Sequence, residues 1–299
     1  MAIFAAAWAA LSVSLWISVA LSLANAAFVV RLFMVQHDCG HGAFFGSRRW
    51  NDWVGRTIGV LTLTPYGVWR RNHAIHHATT GNLDRRGVGD IPTLTVSEYR
   101  AKPLVGRCLY RLMRHPAILF GVIPFYTFFL QNRIPMGLMR SGWRYWASAL
   151  GTNAVVLFML GGLYLLGGLQ VLLCVYLPMM MLAASAGMWL FYVQHQFEET
   201  SWADEDDWSV QDAALHGSSH YVLPTVLNWI TANIGVHHVH HLASRIPFYR
   251  LPEVLRDHDA LADTGRLTLR ESLHCASLSL WDEESRRLVS FAEARRLPA

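Results

Sequence analysis

The stretch of residues 143–194 constrains the fold more than any other part of the chain, because it contains no Asp, Glu or Lys and only one Arg, Arg144. The hydrocarbon core of a bilayer is crossed by about 20 helical residues, so this run is too long for one span. Gly167-Gly168 offers the natural break, giving expected spans at residues 143–166 and 169–194, with Trp143, Tyr145 and Trp146 as interface anchors. Composition agrees: 53% of residues are hydrophobic and 15% charged, with a mean hydropathy of +0.25, whereas soluble domains carry about 25% charge. The chain is therefore expected to be an integral membrane protein.

A second apolar run covers residues 2–35. It has neither the charged start nor the small-residue cleavage site of a signal peptide. We divide it near Ser22 to Asn25 into a hairpin with spans at residues 3–21 and 25–45. The first is short, which leaves room for natural sequence ahead of Met1. Residues 117–130 are also apolar, but the segment is short, contains Pro124 and is flanked by Arg114 and Arg133, so we place it in the membrane interface. Arginines crowd the loop after the first hairpin, among them Arg48, Arg49, Arg56, Arg70, Arg71, Arg85 and Arg86, which assigns that loop to the cytoplasm. The expected fold is all-α: one domain over residues 1–299, four transmembrane helices, and a cytoplasmic helical cap from residues 46–142 and 195–299. Both ends then lie in the cytoplasm, and surface helices are expected along 251–299. No linker or repeat interrupts the chain. Cys39, Cys108, Cys174 and Cys275 have no paired spacing and are read as reduced thiols. The net charge of +4 comes from loop arginines rather than a basic stripe, which argues against a nucleic-acid partner.

Three histidine clusters supply the chemistry. His37 and His41 form H-x-x-x-H; His73, His76 and His77 form H-x-x-H-H; His237, His240 and His241 repeat it. Residues three and four apart share a helix face, so each cluster aims two or three imidazoles at one point. Imidazole suits iron, copper, nickel and zinc, and eight imidazoles exceed the needs of one ion. Two metals are implied. His195, at the end of the last expected span, is a ninth candidate. His238 falls off the shared face of its cluster. His216 and His220 have suggestive spacing, but Gly217 and Pro224 weaken a helix there. His115, His258 and His274 read as structural or solvated.

These residues carry a resemblance. His-Asp-Cys-Gly-His-Gly ending at Gly42, the run from His73 to Asp84, and Asn233 to Pro247 around the third cluster resemble the membrane fatty acid desaturase family, most closely the delta-12 and omega-3 acyl-lipid type. The resemblance covers roughly residues 30–255. It implies a non-haem di-iron centre held by His37, His41, His73, His76, His77, His195, His237, His240 and His241, with O2 as co-substrate and a fatty acyl lipid as substrate. His220 stands where the family pattern has an aromatic residue, which leaves open an added ligand or a substrate-channel contact.

Removing hydrogen from an unactivated methylene lies beyond any side-chain acid or base, so a cofactor must provide the oxidant. Asp38 and Asp84 are expected to orient ring N–H groups, and Asp90 is read as a loop cap. The chain has no flavin or dinucleotide fingerprint, so electrons must come from an external donor, a ferredoxin or a cytochrome b5-like protein. Arg245 and Arg250, or Arg70 and Arg71, would form its docking patch or bind lipid head groups. The expected setting is a bacterial inner membrane with the active site on the cytoplasmic side. Two other readings of the histidine pattern are a di-iron hydroxylase of alkanes or carotenoids and a metal transport or sensing protein.

Overall fold

The computed structural model describes residues 1–87 and 89–298. The chain forms two compact units, Met1–Arg71 with Phe120–Met188, and Asn72–Leu119 with Trp189–Ala299.

The first unit is helical. Its long helices are apolar on every side, and their largest side chains face outward: Trp16, Phe158 and Leu165 are 81%, 85% and 83% exposed. A helix apolar all round is stable only in an apolar surrounding. Among the described residues, two helices are long and apolar enough to cross a membrane, Leu15–His41 and Trp143–His195, and Leu104–Arg114 with Ile118–Arg133 adds a third only if that bent pair is one span. Within Trp143–His195 the helical backbone breaks at Gly168, whose φ of 67° is open to glycine without strain. Gly167 beside it has no room for a Cβ, which would meet Val171 and Trp8 at 2.4 and 2.5 Å. The break thus falls where the Gly-Gly pair was expected to place it.

The N-terminal hairpin turns elsewhere than expected. The first helix covers only Ala2–Ala10, and the chain re-enters a helix at Leu15 that runs unbroken to His41. Ser22 and Asn25, read as turn residues, lie buried inside that helix. Ser22 Oγ donates to Val175 O, Asn25 Nδ2 lies 2.8 Å from Met179 Sδ, and Ser18 Oγ donates to Ala7 O at 2.7 Å. Small polar side chains that find partners on a neighbouring helix do not need the water of a turn. At about 1.5 Å per residue, Ala2–Ala10 covers less than half of a hydrocarbon core about 30 Å thick.

The second unit mixes short helices with two small sheets, so the all-α expectation holds for the first unit and fails here. Strands β1 (Leu94–Thr95), β4 (Leu278–Asp282) and β5 (Arg287–Ser290) form one sheet, with β1 parallel and β5 antiparallel to β4. Strands β2 (His220–Val222) and β3 (Arg266–Thr268) pair in parallel. The tail expected to be helical has helices at Leu251–Asp257 and Leu269–Cys275 but also makes the β4–β5 hairpin. In β4, whose register shifts between Leu278 and Leu280, Leu280 enters a core with Val96, Tyr99, Tyr110 and Val289. Leu278 and Trp281 enter another with Trp202 and Leu288. Arg286 closes the turn at φ 50°, and Asp282 accepts from the backbone N–H of Ser285 at 3.0 Å.

Candidate metal centre

In the first unit, the Leu15–His41 helix carries the first cluster at its last turn. Gly42 ends the helix at φ 70°, its N–H donating to Cys39 O, a left-handed cap that glycine adopts without strain. The rings of His37 and His41 lie 4.8 Å apart, and His37 Nδ1 is 3.4 Å from Asp38 Oδ1. Gly40 sits against Trp69, where a Cβ would come within 2.6 Å of the indole.

The second unit gathers seven further histidines. His73, His76 and His77 occupy the end of the Tyr66–Thr79 helix, and the third cluster forms the short helix His237–Leu242. Gly235 before it must be glycine, since a Cβ would stand 2.4 Å from Tyr221 O. The ligand atoms of His76, His195, His237 and His241 all lie within 4.8 Å of one another, and all four residues are buried. Those of His73, His77 and His240 converge within the same limit. Each H-x-x-H-H cluster therefore serves both sets. The i,i+4 pair His237 and His241 joins one set while His240 reaches the other; the pair His73 and His77 joins the second while His76 reaches the first. His77 and His241 stack at 4.1 Å where the two sets adjoin.

The ring orientations fit a cation. His76 Nδ1 lies 2.5 Å from Asp90 Oδ1 and His195 Nδ1 lies 3.2 Å from Gly217 O, so both rings carry their proton on Nδ1. Their Nε2 lone pairs then face one another across 3.2 Å, an arrangement that repels unless a positive ion sits among them. His237 Nε2 is 3.0 Å from His195 Nε2 and 3.2 Å from His241 Nε2. Imidazole–metal bonds of about 2.0–2.1 Å place neighbouring ligand nitrogens about 2.8–3.4 Å apart, from right-angle to tetrahedral geometry. In the other set, His77 Nε2 is 3.1 Å from His73 Nε2 and 3.2 Å from His240 Nε2. Burial, together with the imidazoles of His77, His237, His195 and His76, holds the His241 ring well below its usual pKa. It stays neutral and able to bind metal.

Several expected roles change. Asp90, read as a loop cap, is the carboxylate that orients His76; its side chain is 8% exposed. Asp84, expected to orient a ring, instead accepts from the Glu205 backbone N–H at 2.9 Å. His220 stands in neither set. Its Nδ1 donates to Ala262 O at 2.9 Å and His238 Nε2 donates to Leu261 O at 2.8 Å, so the two rings fasten consecutive carbonyls of one segment. Burial pushes His238 down to about 4, so it too stays neutral. His216 is at the surface with Asp212. Arg245 is exposed, Arg250 pairs with Glu253, and in the first unit Arg70 pairs with Asp52 at 2.6 Å.

Arg114 was missed in the sequence. It is 4% exposed, and its Nη2 donates to Gln196 Oε1, Leu278 O and Tyr192 OH, with Tyr192 beneath the guanidinium at 5.3 Å. Gln196 follows His195 in the chain, so this one cation ties a metal-facing segment to the C-terminal hairpin. An arginine three residues from an apolar run reads as a membrane flank, and only the distant acceptors reveal its other role.

Comparison with known proteins agrees with this site. The family model for fatty acid desaturases matches residues 14–272. A fatty acid desaturase of Bacillus subtilis (strain 168) is 41% identical over 98% of this chain and 82% of its own length. An sn-1 acyl-lipid omega-3 desaturase (ferredoxin) of Synechocystis sp. is 31% identical, over 74% of this chain and 61% of its own length. An sn-1 oleoyl-lipid 12-desaturase from the same organism is 27% identical over 73% and 62%. The chain thus spans about three-fifths of these cyanobacterial relatives and most of the Bacillus one. With its histidine spacing, its paired imidazole sets and a family match over most of its length, the chain belongs to the fatty acid desaturase family.

Proposed function

We propose that this chain, an oxidoreductase by family, introduces a cis double bond into the acyl chain of a membrane lipid, using two iron ions, O2 and an external electron donor. The observation that carries the metal reading is the set His76, His195, His237 and His241, four buried imidazoles from three separated segments. His73, His77 and His240 are assigned to the second ion. His37 and His41, an i,i+4 pair of the same kind, are assigned as ligands by their spacing and by the family pattern. An iron pair so held supplies what no side chain can, an O2-derived oxidant for two adjacent methylenes, with O2, two substrate hydrogens, two electrons and two protons accounting for two waters. The protein's part is to keep the Nε2 lone pairs convergent, with Asp90 and the Gly217 carbonyl fixing two rings, and to keep water away by burial.

The relatives' names favour an acyl-lipid substrate and, for the omega-3 enzyme of Synechocystis, ferredoxin as donor. An acidic donor of that kind is complementary to exposed Arg245, which lies close in sequence to the third cluster. Topology follows from the site: His76 and His195 meet, so an even number of crossings separates them. Residues on either side of Gly168 supply two, and the bent pair Leu104–Arg114 with Ile118–Arg133 then supplies none. Leu15–His41 is a further crossing that delivers its arginine-rich sequel to the cytoplasm, and Ala2–Ala10 enters part-way.

Lipid analysis of cells expressing the chain tests this reading. New cis-unsaturated acyl chains, absent when His240 is replaced by Ala, are expected. Hydroxylated chains in their place would move the assignment to a hydroxylase, and unchanged lipids with altered cellular metal would move it to metal transport.

A further inference from the structure

The Leu104–Arg114 helix has its amphipathic faces reversed relative to a water-soluble protein. Arg107, Tyr110, Arg111 and Arg114 lie on its inward side and are buried or half-buried, whereas Leu104, Val105, Leu109, Leu112 and Met113 are 68%, 70%, 55%, 54% and 44% exposed. The arginines have been taken up by the protein. Arg111 Nε donates to Tyr99 OH at 2.6 Å and its guanidinium lies over Phe291 at 5.1 Å; Arg114 is held as described above. Arg100 is likewise taken up, donating to Ala294 O and Leu297 O, so exposed Lys102 supplies the positive charge at the start of the helix, and the chain continues from its end into the apolar run Ile118–Leu130.

A helix that keeps its cations inside and its leucines outside is stable where the outside is hydrocarbon. We infer that Leu104–Arg114 lies flat in the leaflet that borders the histidine-bearing unit, its Leu104-Val105-Leu109-Leu112 face in the acyl region beneath the head groups. Lys102, exposed at its start, meets anionic phosphates at its edge. The helix is thus a lipid-contact surface on the unit that holds the imidazole sets, separate from the spanning helices. The inference rests on the membrane reading of the chain and is independent of the metal assignment.

Site-directed spin labelling of the full chain, in phosphatidylglycerol–phosphatidylcholine nanodiscs, tests it. Cys108 is a native exposed thiol on the outward face, while Cys39 and Cys275 are buried, so a C174A variant offers Cys108 for labelling with no change in this helix. Labels at Cys108, and at V105C and L112C in a C108S/C174A background, are expected to collide with O2 more than with a nickel chelate. The reverse is expected for a label at E284C. The sites at 105 and 112 are about 10 Å apart along the helix, so equal depths at the two mark a helix in the membrane plane. Depths differing by that distance would mean a crossing helix and would overturn the inference. A dominant nickel-chelate collision rate at 108 and 112 would also overturn it, placing the face in water. So would protection from both reagents that vanishes when each disc holds one chain instead of two, the signature of a second copy.

Discussion

The two units of the molecule arrange polarity in opposite ways. In Met1–Arg71 with Phe120–Met188, large apolar side chains point outward and the polar groups buried in the apolar part of Leu15–His41 are small, Ser18, Ser22 and Asn25, each matched to a partner on the neighbouring helix or main chain, while larger ones, Gln36, His37 and Asp38, gather at the end of that helix. In Asn72–Leu119 with Trp189–Ala299, the buried polar groups include imidazoles and a guanidinium, which carbonyls and the Asp90 carboxylate help to organise. The first unit uses polarity to join helices; the second uses it to aim lone pairs. Away from His37 and His41, substitutions should therefore have modest, local effects in the first and large, chemical effects in the second.

Arg114→Leu should show the largest stability effect, because it leaves Gln196 Oε1 and Leu278 O buried without this donor. Gln196 keeps Thr93 Oγ1 and Leu278 keeps Tyr192 OH as a donor, so the loss is that of two hydrogen bonds to a charged group at about 1.5–3 kcal/mol each, about 3 kcal/mol or more, read from the midpoint of thermal unfolding, with metal lost alongside. An unchanged midpoint would show that the guanidinium does not organise the segment after His195.

Asp90→Asn comes next. Replacing the carboxylate weakens the orientation of His76, and changes of this kind cost about 10–100-fold in metal affinity. Competition with a chelator measures it, and the fold should stay intact. Retention equal to the parent chain would return Asp90 to the role of loop cap.

The expectations from sequence succeeded where the signal is local. The i,i+4 histidine pairs are visible in one dimension, although each H-x-x-H-H cluster does not aim all its rings at one point, since His76 and His240 join the set that their own pair does not; Gly167-Gly168 at the break between apolar helices is visible as well. They failed where a residue's partner is remote. Ser22 and Asn25 looked like a turn because their acceptors lie on residues 175 and 179. Asp90 looked like a cap because it returns to His76 through a loop containing Gly87 and Gly89. Gly89 passes so near the helix that a Cβ would come within 3.2 Å of both Asn72 O and His76 Cβ. Two glycines followed by Asp-Ile-Pro after a histidine cluster are the signal that was available. In the tail, the charged run after Leu278-Ser-Leu-Trp-Asp read as part of a surface helix, whereas it is the turn that leads from β4 into β5.

His238→Ala probes the boundary between aiming and fastening within the third cluster. Its ring donates to Leu261 O rather than to a metal set, so the variant should lose about 1–3 kcal/mol of stability yet keep most of its product formation per folded chain. Loss of activity comparable to that of His240→Ala, at equal protein level, would overturn the division of the cluster. Ser22→Ala in the first unit should have the smallest effect, about 0.6 kcal/mol, the average for hydrogen bonds between membrane helices. Unfolding in mixed micelles measures it, and a loss as large as that of Arg114→Leu would erase the contrast between the units.

Metal analysis of the anaerobically purified chain tests the central claim most directly. The account predicts about two irons per chain, falling to about one when His195, which belongs to a single set, is replaced by Ala. A single tightly held ion supporting full activity, or a metal content unaffected by His195→Ala, would contradict it.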